Sequence, residues 1–285
     1  MTNAVDTVGI VGAGFMGSGI AESVARAGIA VHLHEPTEEP LERSRETVKS
    51  SVARGVESDK LSAEEAESLQ ERIAWTTELG DLSGCQLVVE AVTEDPEVKT
   101  DVFRRLGEVL EPEALIASNT SSIPIAQLAS VTPARKRVLG LHFFSPATVM
   151  RLVEVVVGID TAPETVERAE AFVQRIGKTP IRTKDRSGFI VNMLLVPYLM
   201  AGVRMYEEGF ATREAIDEGM RLGCGHPMGP LELADFIGLD VLYAVCDSLY
   251  EEFKRPEYAP PPLLKRLVVA GHLGRKSGRG FYEYD

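Results

Sequence analysis

The stretch Thr7-Val-Gly-Ile-Val11, followed at once by Gly12-Ala-Gly-Phe-Met-Gly17, decides the fold. Its first five residues form a short apolar run, which is typical of a buried strand. A helix-like stretch at residues 18–27 and a second β-like run at residues 29–33 follow. Together these segments form a β-α-β unit, which requires two parallel strands and a crossover helix.

The rest of the chain divides into two parts with different periodicity. Strand-like apolar runs alternate with helix-like segments at residues 87–92, 115–117, 138–141 and 152–157. This alternation predicts an α/β domain with a doubly wound, Rossmann-like sheet over residues 1–184. Helical periodicity then continues at residues 189–208, 212–222, 231–253 and 263–270. We therefore predict an all-helical second domain over residues 185–285.

Composition excludes several classes of protein. The net charge of −13 argues against a nucleic-acid partner, because duplex-binding surfaces need clustered Lys and Arg. Cys85, Cys224 and Cys246 have no metal-ligand or disulfide spacing, so we expect no metal. The longest apolar run, residues 189–203, is too short to cross a bilayer, and no secretory leader is evident. We expect a cytoplasmic protein with no membrane contact.

The glycines at residues 12, 14 and 17 are spaced as in a dinucleotide-binding loop. They follow a predicted strand and open a predicted helix, the context that separates this motif from an ordinary tight turn. Gly12 permits the turn, Gly14 lets the backbone approach a pyrophosphate, and Gly17 lets the helix pack on the strand. We expect the loop, with Phe15 and Met16, to bind the cofactor at the helix N-terminus.

Glu35 ends the second strand at the position where such folds bind the adenosine ribose. A carboxylate there accepts hydrogen bonds from both ribose hydroxyls and repels a 2'-phosphate. The next residues contain no Arg that would reverse this preference. Glu35 therefore predicts NAD rather than NADP, the alternative being a surface carboxylate at a strand end.

Six further peptides recur in the order known from one enzyme family. They are Ser118-Asn-Thr-Ser-Ser122, Leu141-His-Phe-Phe-Ser-Pro146, Leu152-Val-Glu154, residues 185–192 (DRSGFIVN), His226-Pro-Met-Gly-Pro230 and residues 274–282 (GRKSGRGFY). In this order they resemble the 3-hydroxyacyl-CoA dehydrogenase family, and most closely its short, single-function 3-hydroxybutyryl-CoA members. The resemblance covers essentially the whole chain. It implies an oxidoreductase that interconverts an (S)-3-hydroxyacyl-CoA and a 3-oxoacyl-CoA with NAD(H).

The resemblance implies a catalytic set of four residues: His142, Glu154, Ser121 and Asn192. His142 is the implied general acid/base, Glu154 is its partner, and Ser121 and Asn192 contact the substrate. Alcohol oxidation needs a base near the hydroxyl, and imidazole titrates near neutral pH. A carboxylate on the other ring nitrogen would fix the tautomer and stabilise the imidazolium. The alternative for each residue is a structural hydrogen bond.

The resemblance also implies further contacts to the ligands. Glu94 and Lys99 are expected near the nicotinamide and its ribose. Asn119, Ser121, Ser145 and Lys276 are expected beside the cofactor. Ser145 stands where the family usually has Asn, so its contact should be weaker or mediated by water.

Recognition of the CoA moiety is less strongly predicted. Family members carry several Lys in the helix after the second strand, and this helix is less basic. Arg54 is the side chain that best matches the family's CoA-binding helix.

The expected active site lies in the cleft between the two domains, and the family implies a homodimer through the helical domain. Two alternatives remain open at this stage. One is a related dehydrogenase acting on a free or carrier-protein-bound 3-hydroxy acid. The other is a catalytically silent NAD-binding structural or sensor protein.

Overall fold

The structure is a computed structural model, and it describes residues 4–284. The chain forms two compact units, which meet in sequence at Asp185 and Arg186. The strands all belong to the first unit: β1 Thr7–Val11, β2 Ala30–His34, β3 Ile73–Thr76, β4 Leu87–Glu90, β5 Leu115–Ser118, β6 Val138–Phe143, β7 Leu152–Val157 and β8 Thr179–Lys184. Its helices are α1 Phe15–Arg26, α2 Glu38–Glu57, α3 Ala63–Glu71, α4 Pro96–Val109, α5 Ile125–Ser130 and α6 Pro163–Arg175.

The eight strands form one sheet in the order β3-β2-β1-β4-β5-β6-β7-β8. All neighbouring pairs are parallel except β6 and β7, which run antiparallel. The strand order reverses between β1 and β4, and sheets of this type bind ligands beyond the carboxyl ends of the strands at that point. The predicted fold class, a Rossmann-like sheet followed by helices, is confirmed.

The central strands were predicted from sequence, but the two edge strands were not. β1, β4, β5 and β6 are buried along almost their whole length, which produces the apolar runs. β8 (TPIRTK) is mostly exposed, and β3 (IAWT) has one buried residue. An edge strand lacks a neighbour on one side, so its sequence carries a weaker apolar signal.

The second unit is helical, with α7 Val191–Glu207, α8 Arg213–Cys224, α9 Pro230–Ile237, α10 Leu239–Phe253 and α11 Pro262–Val269. The helix predicted over residues 231–253 is two helices, because Gly238 has φ +102° and interrupts the helical backbone. The helix predicted from residue 189 begins at Val191, because Phe189 has φ +48°. Within residues 4–284, no helix is both long and apolar enough to cross a membrane.

Two buried aspartates fasten the end of the chain to the helices of the second unit. Asp217 accepts hydrogen bonds from the Leu231 N–H and the Tyr282 hydroxyl at 2.8 and 2.9 Å. Asp235 accepts from the N–H groups of Phe281 and Tyr282, both at 2.9 Å. Burial is the largest influence on the pKa of Asp235 and raises it, although these hydrogen bonds oppose the rise.

Candidate active site

The glycine loop leaves an open backbone surface at the end of β1. Gly12 has φ +108°, and a Cβ there would lie 2.6 Å from the Ala91 carbonyl oxygen. A Cβ on Gly17 would lie 1.8 Å from the Gly12 carbonyl oxygen, so α1 could not pack here with a side chain. Gly14 faces open space, and no side chain caps the start of α1. The loop can therefore present free N–H groups to a phosphate.

A cavity of about 910 Å³ extends from this loop across the end of β2. Glu35 lines it and accepts a hydrogen bond from the Ala13 N–H at 3.1 Å. Helices α2 and α4 contribute Arg43, Val98 and Arg105 to the wall, none of which was predicted from the sequence. The glycine loop and the carboxylate at the strand end fit the pyrophosphate and ribose of a dinucleotide.

His34 also lines this cavity, although its sequence position suggested no role. Its side chain is buried, and Nδ1 has no hydrogen-bond partner among the described residues. Burial is the largest influence on the pKa of His34 and lowers it. A hydrogen bond with the Thr77 backbone raises this pKa, and the nearby Arg105 charge lowers it further. Because its pKa is lowered, these surroundings favour the neutral form of the His34 ring at the cavity wall.

The next functional pair joins the two antiparallel strands. His142 on β6 lies directly opposite Glu154 on β7 in the strand register. The His142 Nδ1 and Glu154 Oε2 atoms are 2.7 Å apart. The Glu154 side chain is 1% exposed and that of His142 is 8% exposed. Because Nδ1 faces the carboxylate, the other ring nitrogen, Nε2, faces away from it. His142 is not among the residues that line the cavity described above.

The loop after β5 carries the predicted serine. The Ser121 N–H donates to Glu94 Oε1 at 2.9 Å, and the Ser121 hydroxyl lies 3.4 Å from the same oxygen. The hydroxyls of Thr120 and Ser122 lie 2.5 and 3.2 Å from it. Glu94 thus brings together the hydroxyls of this loop, so two predicted residues, Glu94 and Ser121, are in contact.

Glu94 is held by charge as well as by hydrogen bonds. Its Oε2 lies 3.3 Å from the Lys99 Nζ, and its side chain is 39% exposed. Burial alone would raise the pKa of Glu94, but the Lys99 charge and the Thr120 and Ser121 hydrogen bonds outweigh it, so the pKa is lowered. Lys99 itself is buried and pairs with Glu90 at 2.6 Å. Glu90 was not singled out in the sequence, because a Glu at the end of an apolar strand has no distinctive spacing.

Asn119 contacts the residue that follows His142, and Ser145 lies three positions after His142 in the sequence. Asn119 Oδ1 accepts a hydrogen bond from the Phe143 N–H at 2.9 Å, which joins the end of β5 to β6. Ser145 is exposed and precedes Pro146 in the loop between β6 and β7. Asn119 therefore has a structural contact in addition to the cofactor contact predicted for it.

The other predicted residues lie outside this cluster. Arg54 is exposed near the end of α2. In the second unit, Asn192 is half-buried in the first turn of α7. Lys276 Nζ forms an ion pair with Asp240 at 2.6 Å and is about half exposed.

Two family profiles match the sequence. Residues 7–186 match "3-hydroxyacyl-CoA dehydrogenase, NAD binding domain", and residues 188–284 match "3-hydroxyacyl-CoA dehydrogenase, C-terminal domain". Among curated relatives, a 3-hydroxybutyryl-CoA dehydrogenase from Mycobacterium tuberculosis is 50% identical over the full length of both chains. The human mitochondrial hydroxyacyl-coenzyme A dehydrogenase is 41% identical, covering 98% of this chain and 91% of its own length.

Solved structures of proteins with related names also resemble this chain. A crystal structure of (S)-3-hydroxybutyryl-CoA dehydrogenase from Ralstonia eutropha superposes with a TM-score of 0.94. It is 43% identical, and the comparison covers 99% of this chain and 100% of that one.

Proposed function

The chain belongs to the 3-hydroxyacyl-CoA dehydrogenase family, and on that premise we propose that it interconverts (S)-3-hydroxybutyryl-CoA and acetoacetyl-CoA. It is an NAD-dependent oxidoreductase that acts on the secondary alcohol of a 3-hydroxyacyl-CoA. The short acyl group and the (S) configuration are proposed from the names of the relatives. The observation that carries the mechanism is the 2.7 Å contact between His142 Nδ1 and Glu154 Oε2.

His142 is the proposed general base for oxidation. With Glu154 on Nδ1, the neutral ring carries its proton on that nitrogen, and Nε2 can accept the proton of the substrate hydroxyl. The resulting imidazolium is stabilised by the buried carboxylate. In the reverse direction the same Nε2 proton returns to the oxygen of the 3-oxo group, so His142 is then the general acid.

The first unit offers residues that fit NAD. The glycine loop would bind the pyrophosphate, and Glu35 would bind the adenosine ribose. The nicotinamide half would then extend over β4 and β5, where Glu94, Asn119 and Ser121 lie. Bound NAD supplies the hydride acceptor, and the chain's own residues hold the alcohol and move its proton.

Substrate contacts complete the proposal. Ser121 and Asn192 would hold the thioester and hydroxyl end of the substrate, and Arg54 would contact a phosphate of the CoA moiety. Arg54 is exposed, so it can pair with a phosphate without being desolvated. A homodimer is part of the proposal that rests on the family resemblance alone, and a cytoplasmic location is proposed from the cysteine spacing.

One assay tests the reaction. NADH consumption would be followed with acetoacetyl-CoA, with the same acyl group on a carrier-protein phosphopantetheine, and with free acetoacetate. We expect turnover of the CoA thioester to exceed that of the other two. Preference for the carrier-bound or free substrate would move the assignment to the related dehydrogenases, and NAD binding without turnover of any substrate would indicate a silent NAD-binding protein.

A further inference from the structure

A fully buried carboxylate, Glu90, has no role in the reaction as described so far. It ends β4 and is 0% exposed. Three donors converge on it: Lys99 Nζ at 2.6 Å, the Ser118 hydroxyl at 2.6 Å and the Val92 N–H at 2.7 Å. Burial is the largest influence on the pKa of Glu90 and raises it, while these three donors oppose the rise. A buried carboxylate with this many partners is built into the fold rather than incidental.

The first connection from Glu90 runs through Lys99. The Lys99 ammonium has three N–H donors and three acceptors: Glu90 Oε1 at 2.6 Å, the Val92 carbonyl at 3.3 Å and Glu94 Oε2 at 3.3 Å. Its side chain is 1% exposed. Each of the three N–H groups therefore has its own acceptor. The shortest contact, to Glu90, holds the ammonium group in place and so fixes the direction of the other N–H groups. One of these points at Glu94.

The second connection runs through Ser118. Its hydroxyl donates to Glu90 Oε2 and accepts a hydrogen bond from the Thr120 N–H at 3.1 Å. The Thr120 hydroxyl then donates to Glu94 Oε1 at 2.5 Å, the oxygen that also accepts from the Ser121 N–H. Both connections from Glu90 therefore end on Glu94 and on the turn that contains Ser121.

We propose that Glu90 is a positioning residue for the dehydrogenase reaction: through Lys99 and Ser118 it fixes Glu94 and the turn that presents Ser121. This inference rests on the proposed function, in which Glu94 and Ser121 face the cofactor and the substrate. Because its side chain is fully buried, Glu90 is not proposed to contact either ligand itself. Its effect is geometric, and a displacement of about 1 Å at reacting groups can cost about 100-fold in rate.

Glu90→Gln is the informative variant, because it keeps the shape of the side chain and changes its hydrogen bonding. Glutamine offers one acceptor oxygen and one NH₂ group, whereas all three neighbours of Glu90 are donors. If the NH₂ group takes the Oε1 side it meets two donors, Lys99 and the Val92 N–H; if it takes the Oε2 side, the Ser118 hydroxyl must turn and accept instead of donating. In either orientation one of the two connections is broken or reversed.

Glu22→Gln is the matched control. Glu22 is also a buried carboxylate of the first unit, 2% exposed, and it pairs with Arg26 at 2.8 Å on α1. Among residues 4–284, its carboxylate shares no hydrogen bond with Glu90, Lys99 or Ser118. In the full-length protein, Glu90→Gln should lower kcat about 10- to 100-fold while the Kd for NAD stays within about twofold. Glu22→Gln should leave kcat unchanged.

Amide hydrogen exchange provides a readout that does not depend on turnover. The Ser121 N–H donates to Glu94 Oε1 at 2.9 Å, and the N–H groups of Ser122 and Ile123 donate to the Thr120 hydroxyl at 3.2 and 2.9 Å. They should exchange faster in Glu90→Gln than in the wild type, and Glu22→Gln should leave them unchanged. A wild type that fails to turn over acetoacetyl-CoA would count against the proposed function, and the exchange rates would still show whether Glu90 fixes the turn.

The outcomes separate cleanly. Lower kcat together with faster exchange supports the proposal, whereas an unchanged value of either quantity in folded Glu90→Gln overturns it. Ser118→Ala decides the matter if Glu90→Gln does not fold. It removes one connection only, and it should lower kcat and speed exchange at the same amides; wild-type values for this variant would overturn the proposal.

Discussion

Two buried acid–base pairs lie in the first unit, one across strands β6 and β7 and one at the end of β4, and they differ in what surrounds the base. In one, Glu154 lies 2.7 Å from His142; in the other, Glu90 lies 2.6 Å from Lys99. Both carboxylates are almost completely enclosed. The His142 side chain is 8% exposed, whereas that of Lys99 is 1% exposed and all its donors are used.

This difference makes the two pairs suited to different chemical roles. An imidazole has a second nitrogen, so it can bind a carboxylate on one side and exchange a proton on the other. The Lys99 ammonium has no such second face, because its three donors all point at acceptors of the protein. The His142 pair is therefore suited to proton transfer, and the Lys99 pair to holding other groups in place.

The largest expected effect comes from breaking the first pair. His142→Ala removes the acceptor for the hydroxyl proton, so single-turnover NADH formation should slow by about 100- to 10,000-fold. Glu154→Gln should keep the fold and NAD binding but slow the same step by about 10- to 100-fold, because the imidazolium loses its partner.

The double variant sharpens this prediction. In the proposed mechanism His142 and Glu154 act as one unit, so His142→Ala combined with Glu154→Gln should be little slower than His142→Ala alone. NAD affinity, measured by fluorescence, serves as the control for folding. Full turnover by Glu154→Gln would reduce Glu154 to a structural residue, and an active His142→Ala enzyme would remove the proposed base.

The second pair can be broken with Lys99→Met, whose expected effect depends on pH. Lys99 is the main group that lowers the pKa of Glu94, against the burial that would raise it. Without Lys99 the pKa of Glu94 should rise. Because a carboxylate is charged only above its pKa, the acid limb of the kcat/KM profile should move to higher pH, and activity should fall more at pH 6 than at pH 8.

The groups facing Glu94 in this experiment are Lys99, Thr120, Ser121 and Ser122. Of these only Lys99 carries a charge. The matched control is the double variant Lys99→Met, Glu94→Gln. It lacks the carboxylate that titrates, so its kcat/KM profile should not show the shifted acid limb. An acid limb that stays where it is in Lys99→Met would show that Glu94 does not control the profile.

The sequence predicted the fold class, the family and the NAD cofactor, and all three are confirmed. The features that the sequence predicted are encoded by residues that lie close together in the chain. The glycine loop is contiguous, and the pair His142 and Glu154 lies in two adjacent apolar strands, so a twelve-residue spacing suffices to suggest it. The roles of the individual site residues stay predictions.

What the sequence did not predict depends on contacts between distant segments. Glu90, Lys99 and Ser118 come from β4, α4 and β5, and nothing in their spacing indicates that they meet. Arg43 and Arg105 reach one cavity from α2 and α4 in the same way. Helix ends were also displaced where a single residue adopts positive φ, as at Gly238 and Phe189, because periodicity does not report backbone conformation.

A third carboxylate, Glu35, differs from Glu90 and Glu154 because no basic side chain among residues 4–284 forms an ion pair with it. Among residues 4–284 no Lys or Arg nitrogen forms an ion pair with it within 4.0 Å, and its carboxylate accepts a hydrogen bond from the Ala13 N–H at 3.1 Å. Within the described residues, its carboxylate is therefore not held in an ion pair. A 2'-phosphate placed beside the ribose would meet the charge of this carboxylate directly, which predicts that the wild type prefers NAD to NADP.

Glu35→Ala should narrow this preference, mostly through cofactor affinity. Two charges at about 4 Å interact by about 1 kcal/mol even in water, so the ratio of the Kd for NADP to that for NAD should fall at least about fivefold. Glu38→Ala is the matched control, since Glu38 begins α2 and does not line the cavity; it should leave the ratio unchanged. Fluorescence titration with both cofactors measures the ratio without any substrate. Equal affinity of the wild type for NAD and NADP, or an unchanged ratio in Glu35→Ala, would show that other groups in the cavity, such as Arg43, select the cofactor.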